Sequence, residues 1–131
     1  MIPEDTPAEM DNCGIVSVAT LAGTSYRDAE SVFISLCGRR SFTSVWQRLD
    51  VLSSMGVRVE EELHYRVKPT LKHWLTTTYD PSCNYSVTVT GHVVTIKDGL
   101  VLDQVFRKGI ALTQSPYNRK RVQSYIKLRR T

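Results

Sequence analysis

Three side chains of this sequence have the types and settings to carry a reaction between them: Cys13, His92 and Asp103. Cys13 stands where a helix is predicted to begin. Asp11 and Asn12 are capping residues, and Ile15, Val16, Val18, Ala19 and Leu21 make the segment apolar on most sides until Gly23 stops it. A helix start offers unpaired N–H groups and a partial positive charge. Both favour a thiolate over a thiol, and the same N–H groups can hold an oxyanion. Gly14 leaves room beside the sulfur for a substrate carbonyl.

His92 opens the β-branched run Val93-Val94-Thr95-Ile96 directly after Gly91, and Asp98-Gly99 then forms the strongest short hairpin signal in the chain. With a two-residue turn, Lys97 faces Leu100, and counting outward sets Asp103 opposite Val94. Side chains two apart share a face of a strand. Asp103 is therefore a diagonal neighbour of His92, at roughly 7–8 Å between Cα atoms. A carboxylate ending the apolar strand Leu100-Val101-Leu102 needs a polar partner, and an imidazole N–H supplies one. The predicted chemistry is acyl transfer: His92 takes the proton of Cys13, Asp103 orients the ring, and the thiolate attacks an acyl carbon.

The elements that must position these groups follow from periodicity. Ser25, with Asp28 three residues on, resembles a capping box. Ala29, Val32, Phe33 and Leu36 then give one helical stripe ending at Gly38. A third helix is predicted from near Thr43, with Val45, Leu49 and Leu52 as its stripe and Gly56 as its stop. After that the period changes. Val57–Glu60, 85–90, 92–96, 100–103 and 121–128 alternate as strands, and a helical turn or two follows Pro69. Glu60-Glu61-Glu62 is read as a solvated strand end, His73 and Trp74 as packing, Cys37 as core, and Gln104 as facing away from Asp103. Helices first and antiparallel strands after predict an α+β fold. The chain is read as one domain, 1–131: an extended arm over 1–10, a helical half over 11–56, and a mainly antiparallel sheet half over 57–131.

Composition narrows the setting. The hydrophobic share is 41% and the charged share 23%, ordinary for a globular protein. The start, Met1-Ile2-Pro3-Glu4-Asp5, is acidic where a secretory signal would be basic and then apolar. Three cysteines do not suggest a disulfide framework, which favours a reducing cytoplasm. No C-x-x-C pair occurs and His64, His73 and His92 lie far apart, so neither metal nor cofactor is expected, and no membrane span. Of the 17 Lys and Arg, eight fall in residues 104–131, which hold no Asp or Glu; the remaining nine face all 13 acidic residues. A basic tail of this kind (Arg119, Lys120, Arg121, Lys127, Arg129, Arg130) suits an acidic partner or nucleic acid, or simply solvates the chain.

Asp11-Asn12-Cys13-Gly14-Ile15-Val16-Ser17-Val18 resembles the nucleophile helix of papain-like cysteine peptidases, and the compact kind that cleaves double-glycine bacteriocin leaders is the nearest in pattern. The run Gly91 to Asp103 resembles the His–Asp hairpin of that family. Thr24 to Asp28 and the segment ending Leu52 to Val57 fit its helical subdomain. The resemblance spans about residues 8–104. It implies a papain-like fold with an N-terminal helical subdomain packed on a C-terminal antiparallel sheet. It also implies a thiol hydrolase acting on a protein or peptide through an acyl-enzyme, in stand-alone versions like those of phage and bacterial genomes, which would place it in a host cytoplasm if phage-encoded. One departure stands out. The family sets a glutamine six residues before the cysteine to complete the oxyanion hole, and here that position is Pro7. Asn12, Gly14 and Gly91 are the candidates for the oxyanion and substrate contacts. Deamidation or another acyl transfer on the same triad, and a non-catalytic binding protein using the basic tail, remain open on sequence grounds.

Overall fold

The computed structural model describes residues 1–9, 11–38 and 43–130. Three helices come first: α1 (Cys13–Ala22), α2 (Tyr26–Cys37) and α3 (Val45–Ser54). They are followed by β1 (Glu61–His64), α4 (Leu71–Thr77), β2 (Cys83–Val89), β3 (His92–Lys97), β4 (Leu100–Leu102), β5 (Ile110–Ala111), a short 3₁₀ turn (Leu112–Gln114) and β6 (Val122–Arg129). The strands form one antiparallel sheet in the order β1-β6-β2-β3-β4-β5. This is the α+β arrangement the sequence predicts, with N-terminal helices over a sheet. Among the described residues no helix is long and apolar enough to cross a membrane.

The core explains why α1 is apolar on most sides. It lies between the sheet, against β3 and β2, and the other two N-terminal helices. Every residue from Gly14 to Thr20 is buried. Ile15, Val18 and Ala19 meet Phe33 of α2, Val51 and Leu52 of α3, and Ile126 and Leu128 of β6. Each such fully buried aliphatic side chain contributes roughly 1.5–3 kcal/mol. The opposite face of the sheet packs on α4 through a second apolar cluster around Trp74, Tyr85, Val87, Val94, Ile96 and Tyr125. Trp74 is thus core, as expected, while its neighbour His73 is exposed.

Two polar residues of α1 need partners in so apolar a setting. Ser17 Oγ donates to Ser86 Oγ of β2 at 2.8 Å and accepts from Thr95 Oγ1 of β3 at 2.8 Å. Thr20 returns its hydroxyl to the Val16 carbonyl. Lys97 Nζ reaches the Thr20 carbonyl at 3.1 Å, a cation at the negative end of the helix. The chain of hydroxyls sets the helix's rotation on β2 and β3, and with it the direction in which its first residue points.

The hairpin forms as the Asp-Gly pair demands. Asp98 and Gly99 both take positive φ, at 53° and 78°. The register is Lys97↔Leu100, Ile96↔Val101 and Thr95↔Leu102. Continuing it by one residue places Asp103 opposite Val94. The turn before β3 is equally tight: Val89 pairs with His92, so Thr90 and Gly91 alone make the reversal, Gly91 at φ 76°.

Two expectations are corrected. The first strand of the sheet half is Glu61–His64, not Val57–Glu60. Val57 and Val59 pack on the helical core from outside a strand, and the acidic run enters the ladder with β6 rather than ending it. The first ten residues are not a free arm. Ile2 is buried in the core, and its N–H donates to the Arg107 carbonyl at 2.9 Å. Asp5 caps α2 by accepting from the N–H groups of Tyr26 and Arg27. The basic end forms the late strand that its alternation predicts, at Val122–Arg129. β6 lies inside the sheet between β1 and β2, because both of its faces are needed: Val122, Ser124, Tyr125, Ile126 and Leu128 are all buried.

Candidate active site

The hairpin and the start of α1 bring the three sequence-predicted residues together at one end of a cleft of about 550 Å³ between the helices and the sheet. His92 Nε2–H donates to Asp103 Oδ2 at 2.8 Å. That leaves Nδ1 free toward the cleft, where Cys13 lies close enough for thiol and ring to shift each other's protonation. The His92 side chain is 9% exposed and the Asp103 side chain 1%, so water does little to weaken the pair.

Electrostatics favour the charged forms of both reacting groups. Burial pushes the Cys13 thiol up. The hydrogen bonds from His92 and the Val93 N–H, with the charges of His92 and Arg48, outweigh it and set the thiol below its ordinary value. Burial also works against a charged His92, but Asp103 and the thiolate raise its pKa to about 9. Asp103 stays below the usual carboxylate range: burial raises it, and the hydrogen bonds from His92, Tyr117 and the Phe106 N–H overcome that. Both shifts favour a thiolate–imidazolium pair.

Asp103 is held from every side. Its Oδ1 accepts from the Val105 N–H at 2.9 Å and the Phe106 N–H at 2.8 Å, and its Oδ2 accepts from Tyr117 Oη as well as from His92. The Tyr117 ring also lies against the His92 ring, centroids 5.1 Å apart. Sequence reasoning missed Tyr117. It sits among turns after the 3₁₀ element with no periodic pattern around it. The Tyr117→Phe variant should keep the ring and lose one charge-assisted hydrogen bond. We expect a stability loss of about 1.5 kcal/mol in urea denaturation and a fall of about tenfold in the rate of the reaction proposed below. An unchanged denaturation midpoint would remove Tyr117 from the brace.

Of the three residues expected to hold an oxyanion or substrate, Gly14 and Gly91 border the cleft. Gly14 is also a point of close approach. A Cβ there would lie 2.0 Å from Thr43 Oγ1 and 3.2 Å from Arg48 Cδ and Nη1. Asn12 is different. It is buried, and its amide donates to Tyr26 Oη at 2.8 Å while its Oδ1 accepts from Gln104 Nε2 at 2.6 Å. It takes the N-cap position of α1 but makes no side-chain cap, so the expected capping and the expected amide donor are both corrected. The physical reason is the buried Gln104, which faces away from Asp103 as alternation predicts and needs an acceptor. The Asn12–Gln104 contact joins the residue before the sulfur to the residue after the carboxylate. It also leaves the first-turn N–H groups of α1 without a cap from the Asn12 side chain.

The remaining candidates lie elsewhere or take other parts. Cys83 is buried at the start of β2, outside the cleft lining, and Cys37 packs half-buried on the helical core. His64 borders the cleft, stacked on Trp46 at 4.8 Å and paired with Glu62 at 2.9 Å. The basic side chains do not gather into one patch. Arg129 pairs with Glu60 and Arg130 with Asp98, while Lys120 and Arg121, before the other end of β6, reach the carbonyls of Thr90 and Lys68. Among the described residues no three His, Cys, Asp or Glu side chains gather as metal ligands do. Comparison with family models, with curated proteins and with solved structures finds no match to this chain.

Proposed function

We propose that this chain is a thiol hydrolase of the cysteine-peptidase type. The single observation that carries the reading is the imidazole of His92, which shares one cleft with the thiol of Cys13 and is hydrogen-bonded on its other side to the buried carboxylate of Asp103. The order Cys, His, Asp along the chain and the resemblance to papain-like peptidases support it.

The reaction balances as follows. The Cys13 thiolate adds to the carbonyl carbon of a peptide or isopeptide bond, forming a C–S bond and an oxyanion. First-turn N–H groups of α1 are placed to stabilise that oxyanion. The imidazolium of His92 gives its Nδ1 proton to the leaving amine as the C–N bond breaks, which leaves an acyl-enzyme. Water then gives a proton back to Nδ1 and adds to the acyl carbon, and the thiolate departs. Asp103 holds the ring in the tautomer these steps require. Such a thiolate keeps its activity in a reducing compartment, so a cytoplasmic setting fits.

The test is alkylation followed residue by residue by mass spectrometry across pH. Cys13 should react well ahead of Cys37 and Cys83. Its rate should follow an apparent pKa well below the ~8.5 of a free thiol, because the imidazolium persists to about pH 9 and stabilises the thiolate beneath it. Protonation of the sulfur at low pH and loss of the His92 proton above about 9 should bound hydrolysis on both sides. An ordinary thiol profile at Cys13 would defeat the reading. With protein substrates, a cut chain marks peptidase action, and a gain of about one dalton without cleavage marks glutamine deamidation on the same groups.

A further inference from the structure

The cleft holds a second cation that the triad does not account for. Arg48 belongs to α3 and is 2% exposed. Its Nη1 donates to the Thr43 carbonyl at 2.9 Å and lies 3.4 Å from Thr43 Oγ1, and its Nη2 donates to Thr88 Oγ1 of β2 at 2.6 Å. Its Nε is buried with no partner among the described residues. All the hydrogen-bond partners are neutral, and among the described residues Arg48 makes no ion pair. A buried cation with no anion beside it is costly, and buried charges are ordinarily paired.

The guanidinium lies on the wall of the cleft with Cys13, Gly14 and His92. Its Nη1 and Cδ crowd the backbone of Gly14, the residue directly after the sulfur. We infer that Arg48 is the fixed counter-charge for the anion formed at Cys13, carried by the sulfur at rest and by the substrate oxygen after attack. The inference rests on the reading of Cys13 as nucleophile. In it, Arg48 acts as a positioning residue through Cys13. Thr43 and Thr88 hold the guanidinium from two sides, one before α3 and one on β2, so the charge stays put while the negative charge moves from sulfur to oxygen.

The effects agree in direction. Burial pulls the Arg48 guanidinium down to about 10, and the negative Cys13 pulls it back up. Arg48 in turn lowers the thiol. The position also bears on Pro7. The resemblance leads one to expect a neutral amide donor six residues before the sulfur, and a cation from α3 supplies stabilisation that Pro7 cannot.

The experiment compares the pH profile of Cys13 alkylation by iodoacetamide in the wild type, Arg48→Gln and Arg48→Lys. The other charged or titratable groups near the sulfur are His92 and Asp103 on the hairpin, Tyr117, Asp11 before α1 and His64 on β1, and all three proteins keep them. Arg48→Gln should shift the apparent Cys13 pKa upward and slow alkylation at pH 6 about tenfold or more, one pKa unit being a factor of ten. Arg48→Lys should restore most of the rate. A merely structural role would not give rescue by charge alone. Superposable profiles for wild type and Arg48→Gln, with a low wild-type pKa, would overturn the role of Arg48 and leave the nucleophile standing. An ordinary wild-type pKa would overturn both. If Arg48→Gln does not fold, a variant that keeps Arg48 decides. In a His92→Gln variant, which leaves Arg48 in place without the imidazolium, Cys13 should then prefer the anionic reagent iodoacetate over iodoacetamide more than the thiols of the urea-unfolded chain do, and an equal ratio would reject the counter-charge.

Discussion

Cys13→Ser should leave the fold in place and lower acyl transfer by about 10⁴-fold or more, to the residual rate that binding and the helix N–H groups alone sustain. Serine differs from cysteine by one atom, so the half-buried site at the start of α1 accepts it. The chemistry does not. A thiol lies within reach of ionisation beside an imidazolium, whereas a serine hydroxyl does not become an anion there, and without the thiolate His92 loses part of what raises its pKa. Product formation measured on a cleavable peptide, with thermal melting to confirm folding, gives the answer. Activity within tenfold of the wild type would place the nucleophile elsewhere, and Cys37 and Cys83, both outside the cleft lining, offer no substitute.

Asp103→Asn should be nearly as damaging, because of how the carboxylate is used. Four donors converge on it: the His92 ring, the Tyr117 hydroxyl, and the N–H groups of Val105 and Phe106. An asparagine offers one acceptor oxygen and sets its NH₂ against two donors whichever way it turns. If the NH₂ faces the loop, two backbone N–H groups are left buried without acceptors. If it faces His92, the ring loses the proton position it needs. We expect a rate loss of about 10³-fold or more together with a stability loss of about 3 kcal/mol. Hydrolysis kinetics and urea denaturation measure the two parts. A rate within tenfold of the wild type would show that the carboxylate does not orient the ring.

The grouping of Cys13, His92 and Asp103 was legible because two short-range rules constrain it. The Asp98-Gly99 turn fixes the parity of the hairpin, and parity decides which face Asp103 takes. The apolar run closed by Gly23 fixes where α1 lies, and therefore that Cys13 heads it. What stayed hidden depends on packing between distant segments. Val57 to Glu60 alternates like a strand, but pairing begins three to four residues later, where β6 offers a partner. The alternation over 121–128 shows a strand, but not that it lies inside the sheet between β1 and β2, because which strands pair depends on segments far apart in the chain. Tyr117 reaches Asp103 from a stretch with no period to read. Arg48 did leave a trace: it stands in register with the apolar stripe of Val45, Leu49 and Leu52, where a charged residue has to be explained by something outside its own helix.

The opening segment of the chain sets how the cleft can work. It runs between the helices and the bend after β4, clasping Arg107 through the Ile2 N–H and the Thr6 carbonyl and taking Gln104 on the Glu9 carbonyl, while Asp5 grips the head of α2. That bend carries Asp103. Spreading the two walls would first have to unfasten this clasp and draw Ile2 out of the core. The trench is therefore held in shape from the side of that bend before anything enters it.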